Sequence, residues 1–426
     1  MISTTLIRKR LEDGEYDDRL CKLYVMEDAS RQRTRLIRLV QNYEKYFGEA
    51  EIELFSAPGR TELGGNHTDH QHGNVLAASV NLDTVACASP NGTNIINIQS
   101  EGYPMEHISL DELMPKLEEV NKTAALIRGI AAAIAKQGCQ IGGFNAYVIS
   151  DVPSGSGLSS SAAFETLIGV IFNRLFCQKK FNAMEIAKIG QYAENVYFGK
   201  PCGLMDQMAS SIGNVVAIDF ENADNPKVEE IAFPFAKCGY SLCIIDSGAD
   251  HADLTEDYAA VSQEMKAVAK YFEKNVLRDI TETQFFAEIP QLRMHCGDRA
   301  VLRAAHFFAE NQRAKEEADA LRNGNFDRFC HLVKQSGQSS FMYLQNVYSN
   351  RMPRQQAVAV ALMTAERLLN GKGAFRVHGG SFAGTIQAFV PNTMLDEFKD
   401  GMELILGKDT CHVLTIRPVG GVVLLA

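Results

Sequence analysis

In the first 50 positions, apolar residues recur at three- and four-residue steps. Leu36, Leu39, Val40, Tyr43 and Phe47 therefore share one face of an expected helix. Ser30 stands where that helix would take its N-cap. The pattern then shortens to strand-like runs at 52–55, 75–80, 84–88 and 95–99. A helix is expected over 122–136, a strand at 147–149, a second helix over 183–198, and strands at 215–219 and 242–246. Beyond about residue 250, helical segments dominate, including 258–274, 300–311 and 355–369, before strand-like stretches at 385–390 and 412–416. Strands and helices mixed without regular βαβ alternation predict an α+β fold rather than a doubly wound sheet. The change of pattern near 235–245 divides the chain into a helical extension (1–48), a first domain (49–240) and a second (241–426).

Composition narrows the function. The 426 residues suffice for two domains with full-sized cores. A formal net charge of -10 argues against a general nucleic-acid or anionic-membrane binder. The opening MISTTLIRKRLEDGEYDDRL lacks a signal-peptide core, and no run is apolar enough to span a bilayer, so a cytoplasmic location is expected. The ten cysteines form no C-x-x-C pair and have no histidine at zinc-ligand spacing. Free thiols in a reducing compartment are expected, and no metal cage.

The densest chemistry lies at 151–165, DVPSGSGLSSSAAFE. Gly155 and Gly157 let the backbone curl so that successive N–H groups converge, and the helix starting near Ser159 adds its positive dipole end. Such a loop suits a polyphosphate, with the hydroxyls of Ser160 and Ser161 placed for phosphate oxygens or a divalent cation. It is not a Walker A loop, since no Gly-Lys-Ser/Thr ends it. A plain Ser-capped helix is the competing explanation.

Three further segments accompany it. SAPGRTELGGNHTDHQHG, 56–73, reads as a polar loop held against the core, rich in groups that a polyhydroxylated ligand could satisfy. Its His67, His70 and His72 are not spaced i, i+4 on a helix, which disfavours a metal site. GKPCGLMDQMAS, 199–210, makes a turn through Gly199, Pro201 and Gly203 into a helix beginning at or capped by Asp206, with Met208 facing inward. Near Arg60, Asp206 would instead be an ionised, low-pKa carboxylate. Glu194 is either a solvated helix charge or the carboxylate that completes a magnesium site with Ser161. RVHGGSFAGTIQAFV, 376–390, is a small-residue loop entering a strand.

Together the four segments resemble the galactokinase branch of the GHMP small-molecule kinases over roughly residues 50–420. PGR…G.HTD is similar to the sugar signature, SGSGLSSSA to the phosphate loop, GLMDQ to the catalytic-Asp segment and GGSFAGT to the third motif. Tyr258, in DHADLTEDY, is similar to the tyrosine that follows the family's strand into the C-terminal domain. The resemblance implies an N-terminal α+β domain, a ferredoxin-like C-terminal domain and an active site in the cleft between them. It implies ATP-dependent phosphorylation of the anomeric hydroxyl of galactose, with ATP and Mg2+ as cofactors. Asn66, His67, Thr68, Asp69, Asp206 and Tyr258 would line the sugar site. Gly155, Ser156, Gly157, Leu158, Ser159, Ser160 and Ser161 would wrap the nucleotide phosphates, and Ser100 would make a further nucleotide contact. Ser161 and Glu194 would hold magnesium, Asp206 would accept the proton, and Arg60 would be its electrostatic partner. The implied partners are a sugar and ATP, with no nucleic acid and no membrane, on a monomer or weak dimer.

The chain departs from the family pattern in places. Asn66 stands where the signature has Glu, and Glu62 where it has Asn; HTDHQHG replaces the common HTDYN-G. A neutral residue at 66 would tolerate an anionic sugar such as galacturonate, and the His70-Gln71 pair is similar to plant galacturonokinases. Ser381 and Ala383 replace two glycines of the third motif. Non-catalytic sugar and ATP sensors related to the family tend to lose the serine loop, whereas Gly157 to Ser161 is complete here. A dinucleotide oxidoreductase would need a G-x-G-x-x-G turn in a βαβ unit, which is lacking.

Overall fold

The computed structural model describes residues 1–153, 155–200, 202–249 and 254–426. Strand β1 (Ile2–Ser3) and helices α1 (Thr4–Glu12), α2 (Asp17–Tyr24) and α3 (Ser30–Phe47) precede a long hairpin of β2 (Glu51–Gly64) and β3 (Asn74–Pro90). Next come β4 (Ile95–Ser100), β5 (Glu106–Ser109), α4 (Thr123–Lys136), β6 (Phe144–Ser150), α5 (Ser160–Leu175), α6 (Ala183–Ala193), α7 (Met205–Ile212), β7 (Val215–Asp219) and β8 (Lys227–Ile231). The second half holds β9 (Tyr240–Asp246), α8 (Thr255–Tyr271), α9 (Glu282–Ala287), α10 (Ile289–Cys296), α11 (Asp298–Arg322), α12 (Phe326–Ser339), α13 (Ala357–Leu369), β10 (Ala374–Val377), β11 (Thr385–Pro391), α14 (Leu395–Leu406), β12 (Cys411–Leu414) and β13 (Val422–Leu425).

Among the described residues, two sheets organise the chain. The larger has the order β1-β2-β3-β6-β4-β5, with β13 added to β2 and with β7 and β8 continuing from β3. Only its β4–β6 pairing is parallel. The smaller is antiparallel, in the order β10-β11-β9-β12. The architecture is α+β in two units. β9, the first strand of the smaller sheet, begins at Tyr240, but the chain end crosses back: Val422 and Val423 of β13 pair with Ser56 and Phe55 of β2.

Helices cover both faces of the larger sheet. Ile127, Ile130, Leu167 and Ile171 of α4 and α5 pack with Phe144, Phe55 and Ala86 on one face. On the other, Leu36, Leu39, Val40 and Tyr43 of α3 meet Leu54, Val85 and Tyr147, so the N-terminal helices complete this core. A strand covered on both sides need not alternate polar and apolar residues. The expected strand at 52–55 accordingly runs on to Gly64, and the runs at 75–80 and 84–88 are one bent strand. In the second unit α13 and α14 back the four-stranded sheet, through Val358, Ala365, Phe398 and Met402. Phe329 and Val333 of α12 join Phe389 to Leu76 and Leu158 of the first unit.

One buried polar cluster ties three distant segments together. Asp83 of β3 accepts from Arg35 of α3 (2.6 Å), Tyr24 of α2 (2.7 Å) and Arg417 of the C-terminal segment (2.9 Å). Burial alone would raise the Asp83 carboxyl, but the two guanidinium groups outweigh it and hold it low.

Three local expectations differ from the structure. Ser30 is not a cap; its N–H and Oγ both donate to the Asp28 carboxylate, at 2.9 and 2.6 Å. The helix expected over 183–198 ends as α-helix at Ala193 and continues as a π-turn, Glu194–Phe198. Residues 56–64, expected in a loop, belong to β2, so the sugar-signature loop proper is 65–73.

Candidate active site

Arg60 reaches the site through a break in β2. The register of β2 on β3 shifts between Pro58 and Arg60, a bulge that re-aims the side chain. A Cβ on Gly59 would stand 2.9 Å from the Leu158 carbonyl, so the strand must be bare there for the serine loop to lie against it. The Arg60 N–H donates to that carbonyl at 2.9 Å, and its Nη1 donates to the Gly157 carbonyl. Its Nε and Nη2 grip Asp206 Oδ1 and Oδ2, both at 2.7 Å, in a bidentate fork.

Asp206 lies in the first turn of α7 but caps nothing; Leu204 is the N-cap residue. Ser159 Oγ donates to Asp206 Oδ2 at 2.8 Å. Burial pushes the Asp206 carboxyl up, but Arg60 and the hydrogen bonds from Arg60 and Ser159 hold it below the usual carboxylate range. It is an ionised acceptor, with its side chain 30% exposed.

The serine loop has the curl that its glycines suggested. Gly155, Gly157 and Ser159 all have positive φ, at 76°, 73° and 55°. Ser159 therefore is not a side-chain cap for α5; its hydroxyl goes to Asp206 instead. Ser159, Ser160 and Ser161 are half-buried at the positive end of α5, whereas Ser156 and Leu158 are buried. Ser156 Oγ is tied to the Pro153 carbonyl at 2.8 Å, so only backbone groups of 156 and 158 remain to meet a ligand. Ser154, the first residue of the SGSGLSSSA motif, lies outside the described residues. Ser100 ends β4 in register with Val148, before the loop begins.

Ser161 Oγ points to Glu194 Oε1 at 3.5 Å. Glu194 is no solvated helix charge: it is 2% exposed and pairs with Lys200 Nζ at 3.3 Å. A hydroxyl and a carboxylate are hard oxygen donors, a set that fits Mg2+, which takes one or two carboxylates and keeps its waters. Pro201 of the neighbouring turn lies outside the described residues.

The sugar-signature loop divides its residues between crevice and scaffold. Asp69 lies over the bare backbone of Gly203, where a Cβ would come within 2.4 Å of its Oδ2. Burial raises its carboxyl and His67 opposes the shift. His67 has φ 58°, is half-buried, and its Nε2 lies 3.1 Å from the Gly380 carbonyl. Tyr258 closes this side: its hydroxyl donates to the Ser381 carbonyl, and its ring packs so near Gly380 that a Cβ there would be 2.6 Å away. Residues 250–253 of its segment lie outside the described residues.

Two expected sugar contacts face elsewhere. Asn66 is 0% exposed, and both ends of its amide are engaged. Its Nδ2 donates to Glu62 Oε1 (3.0 Å) and the Gly379 carbonyl (2.7 Å), and its Oδ1 accepts from Asn346 (2.9 Å) and Ser340 (3.3 Å). An amide with two donors and two lone pairs has nothing left for a ligand. Thr68 is likewise buried, its hydroxyl against the Gly65 and Asn74 carbonyls.

Several supporting residues lay beyond sequence reasoning. His378 lies beneath the serine loop, where a Cβ on Gly157 would be 2.9 Å from its Nδ1. It meets Thr61 and Thr385, whose Oγ1 also donates to the Ser156 carbonyl at 3.2 Å. Burial, then Arg60 and Arg376, push its pKa well below normal, so it is a neutral buttress. Arg376 neutralises Glu62 in a buried ion pair. The position of His378 beside the third motif was the only signal available for it.

A model of the GHMP kinases N terminal domain matches residues 125–214, and a model of the galactokinase galactose-binding signature matches residues 41–90. The second match spans Arg60 and the loop of His67 and Asp69; the first spans the serine loop, Glu194 and Asp206. In both segments the chain is similar to the galactokinase branch of the GHMP kinases. Among curated galactokinases, that of Actinobacillus pleuropneumoniae serotype 3 (strain JL03) is 29% identical over 386 residues, covering 88% of this chain and 96% of the relative. The solved Lactococcus lactis galactokinase, complexed with galactose, superposes with TM-score 0.77 at 25% identity, covering 91% of this chain and all of that one. The L. major mevalonate kinase, solved with R-mevalonate, shares the GHMP fold at TM-score 0.58 and 14% identity, over 87% of this chain and 97% of that one. No helix among the described residues of this galactokinase-like chain is long and apolar enough to cross a membrane.

Proposed function

We propose that this chain transfers the γ-phosphoryl group of ATP to the anomeric hydroxyl of D-galactose, giving galactose 1-phosphate and ADP. The observation that carries the reading is the bidentate Arg60–Asp206 pair, held against Gly157 and Ser159 of an anion-binding loop and beside Asp69 of the sugar signature. Phosphoryl transfer passes through a loose transition state, so positioning and charge neutralisation do most of the work. The anomeric oxygen forms its bond to the γ-phosphorus while the bond to the β,γ-bridging oxygen breaks. Asp206, with a lowered pKa, is a weak base for a resting hydroxyl; it orients that hydroxyl and takes its proton late. Arg60 offsets charge on the transferring group, and the backbone N–H groups of 155–161 bind the phosphates. Ser161 and Glu194 are the residues to hold Mg2+, which when bound neutralises phosphate charge. His67, Asp69 and Tyr258 line the sugar end.

The test is ADP release with galactose, galacturonate, arabinose, N-acetylgalactosamine and glucose as acceptors. Galactose is expected to give the highest kcat/KM. Galacturonate is the second arm, because residue 66 is neutral and the nearby Glu62 is offset by Arg376. ADP release independent of every sugar contradicts the reading.

A further inference from the structure

Gln207 follows Asp206 in the first turn of α7 and is fully buried. Its Nε2 donates to Glu194 Oε2 and to Glu165 Oε2, each at 2.9 Å. An amide nitrogen carries two hydrogens, so one serves each carboxyl. Glu194 is thereby held by one oxygen, and its other, Oε1, faces Ser161 and Lys200. Glu165 lies one turn beyond Ser161 on α5, wedged against Gly190, where a Cβ would be 3.1 Å from its Oε2. Neither Gln207 nor Glu165 takes part in the transfer described above.

Resting on the kinase reading, we infer that Gln207 is a positioning residue: it clamps one oxygen of Glu194 so that the other is presented to the divalent cation, with Glu165 as the fixed anchor behind it. The need for a clamp follows from Lys200. Its ammonium already pairs with Glu194 Oε1 at 3.3 Å, and a glutamate freed from Gln207 can turn its second oxygen to that ammonium as well instead of presenting one to a cation. The clamp also fixes a distance. Asp206 and Gln207 are covalent neighbours in one turn of α7, so one helix carries both the proton acceptor and the side chain that holds the metal carboxylate.

The test is binding of a fluorescent ATP analogue, titrated with Mg2+ and repeated in EDTA, beside Mn2+ binding followed by electron paramagnetic resonance. Gln207→Met, unbranched and of similar length, is expected to weaken the Mg2+-dependent part of nucleotide binding and Mn2+ affinity about 10-fold or more, the usual effect of losing an outer partner of a metal ligand. Metal-free nucleotide binding and galactose binding should stay within about twofold of wild type, which a general loss of structure would not allow. Gln207→Asn, a shorter amide withdrawn from Glu194, should act in the same direction and serves if Gln207→Met does not fold. Glu165→Gln keeps an oxygen acceptor for Gln207 and should retain the wild-type Mg2+ dependence. Unchanged Mg2+ and Mn2+ affinity in both Gln207 variants overturns the inference, as does equal loss of metal-free nucleotide and sugar binding. A 10-fold Mg2+ defect in Glu165→Gln would make Glu165 a ligand and overturn its role as anchor. A wild type that binds no nucleotide in either condition overturns the kinase reading itself, a result separate from the others.

Discussion

Asp83 and Asp206 are both gripped by arginine guanidinium groups, and both are held below the ordinary carboxylate range. Their surroundings differ in one respect that decides their use. Asp83 is enclosed on every side by Arg35, Arg417, Tyr24 and Ser56, so its charge can only hold the N-terminal helices and the C-terminal segment to the hairpin. Asp206 is gripped by Arg60 and Ser159, yet its side chain remains 30% exposed. The same pairing is a tie-bolt when sealed and a reactive group when one face is left free. A buried, paired carboxylate is therefore informative about function only once its free face is known.

The sharpest way to break this comparison is at the sealed member. Asp83→Ala leaves Arg417 as a buried unpaired cation and Arg35 with only Asp151, at 3.4 Å, and is expected to cost about 3–5 kcal/mol in urea unfolding. A loss below about 1 kcal/mol would mean that the cluster is not the tie described. At the open member, Arg60→Ala is expected to lower kcat by about 10²-fold or more with the fold intact. Near-normal turnover in that variant removes Arg60 from the chemistry.

Asn66→Ala sharpens the contrast within the sugar-signature loop. It strands donors and acceptors on Glu62, Asn346 and Gly379, so about 1–3 kcal/mol of stability should be lost. His67→Ala, by contrast, should raise KM for the sugar with little change in the unfolding midpoint. If Asn66→Ala instead raises KM alone, residue 66 contacts the sugar directly.

The smallest effect is the pH dependence. Both aspartates have lowered pKa values when folded, so their contribution to stability is complete above the unfolded value of about 3.9. It is lost as pH falls through their lower folded values. Equilibrium unfolding between pH 7 and 5 should therefore be insensitive to these two groups, with the loss confined below about pH 4.

Much of the site was legible because its chemistry is local. The curl at Gly155 and Gly157 and the serines that open α5 need only neighbouring residues, and the structure has them as read. Residues whose meaning depends on distant partners were misread. Pro58, Gly59 and Gly64 look like loop punctuation, yet β2 runs through them, because Arg60 and Glu62 find counter-charges at Asp206 and Arg376. Asn66 looked like a sugar contact until Asn346 and Ser340 filled its oxygen, whereas the expected low-pKa Asp206 beside Arg60 is found and the plain helix cap is not. The return of β13 to the first sheet has no local signal, since four apolar residues fit any buried strand.

The most direct measurement compares galactose-dependent ADP release by the wild-type protein and Asp206→Asn, with folding checked by circular dichroism. The amide keeps the shape and a hydrogen-bonding oxygen but cannot take the hydroxyl proton. We expect kcat to fall by about 10²-fold or more while KM for galactose stays within a few-fold. A folded Asp206→Asn protein turning over galactose at the wild-type rate would contradict the account.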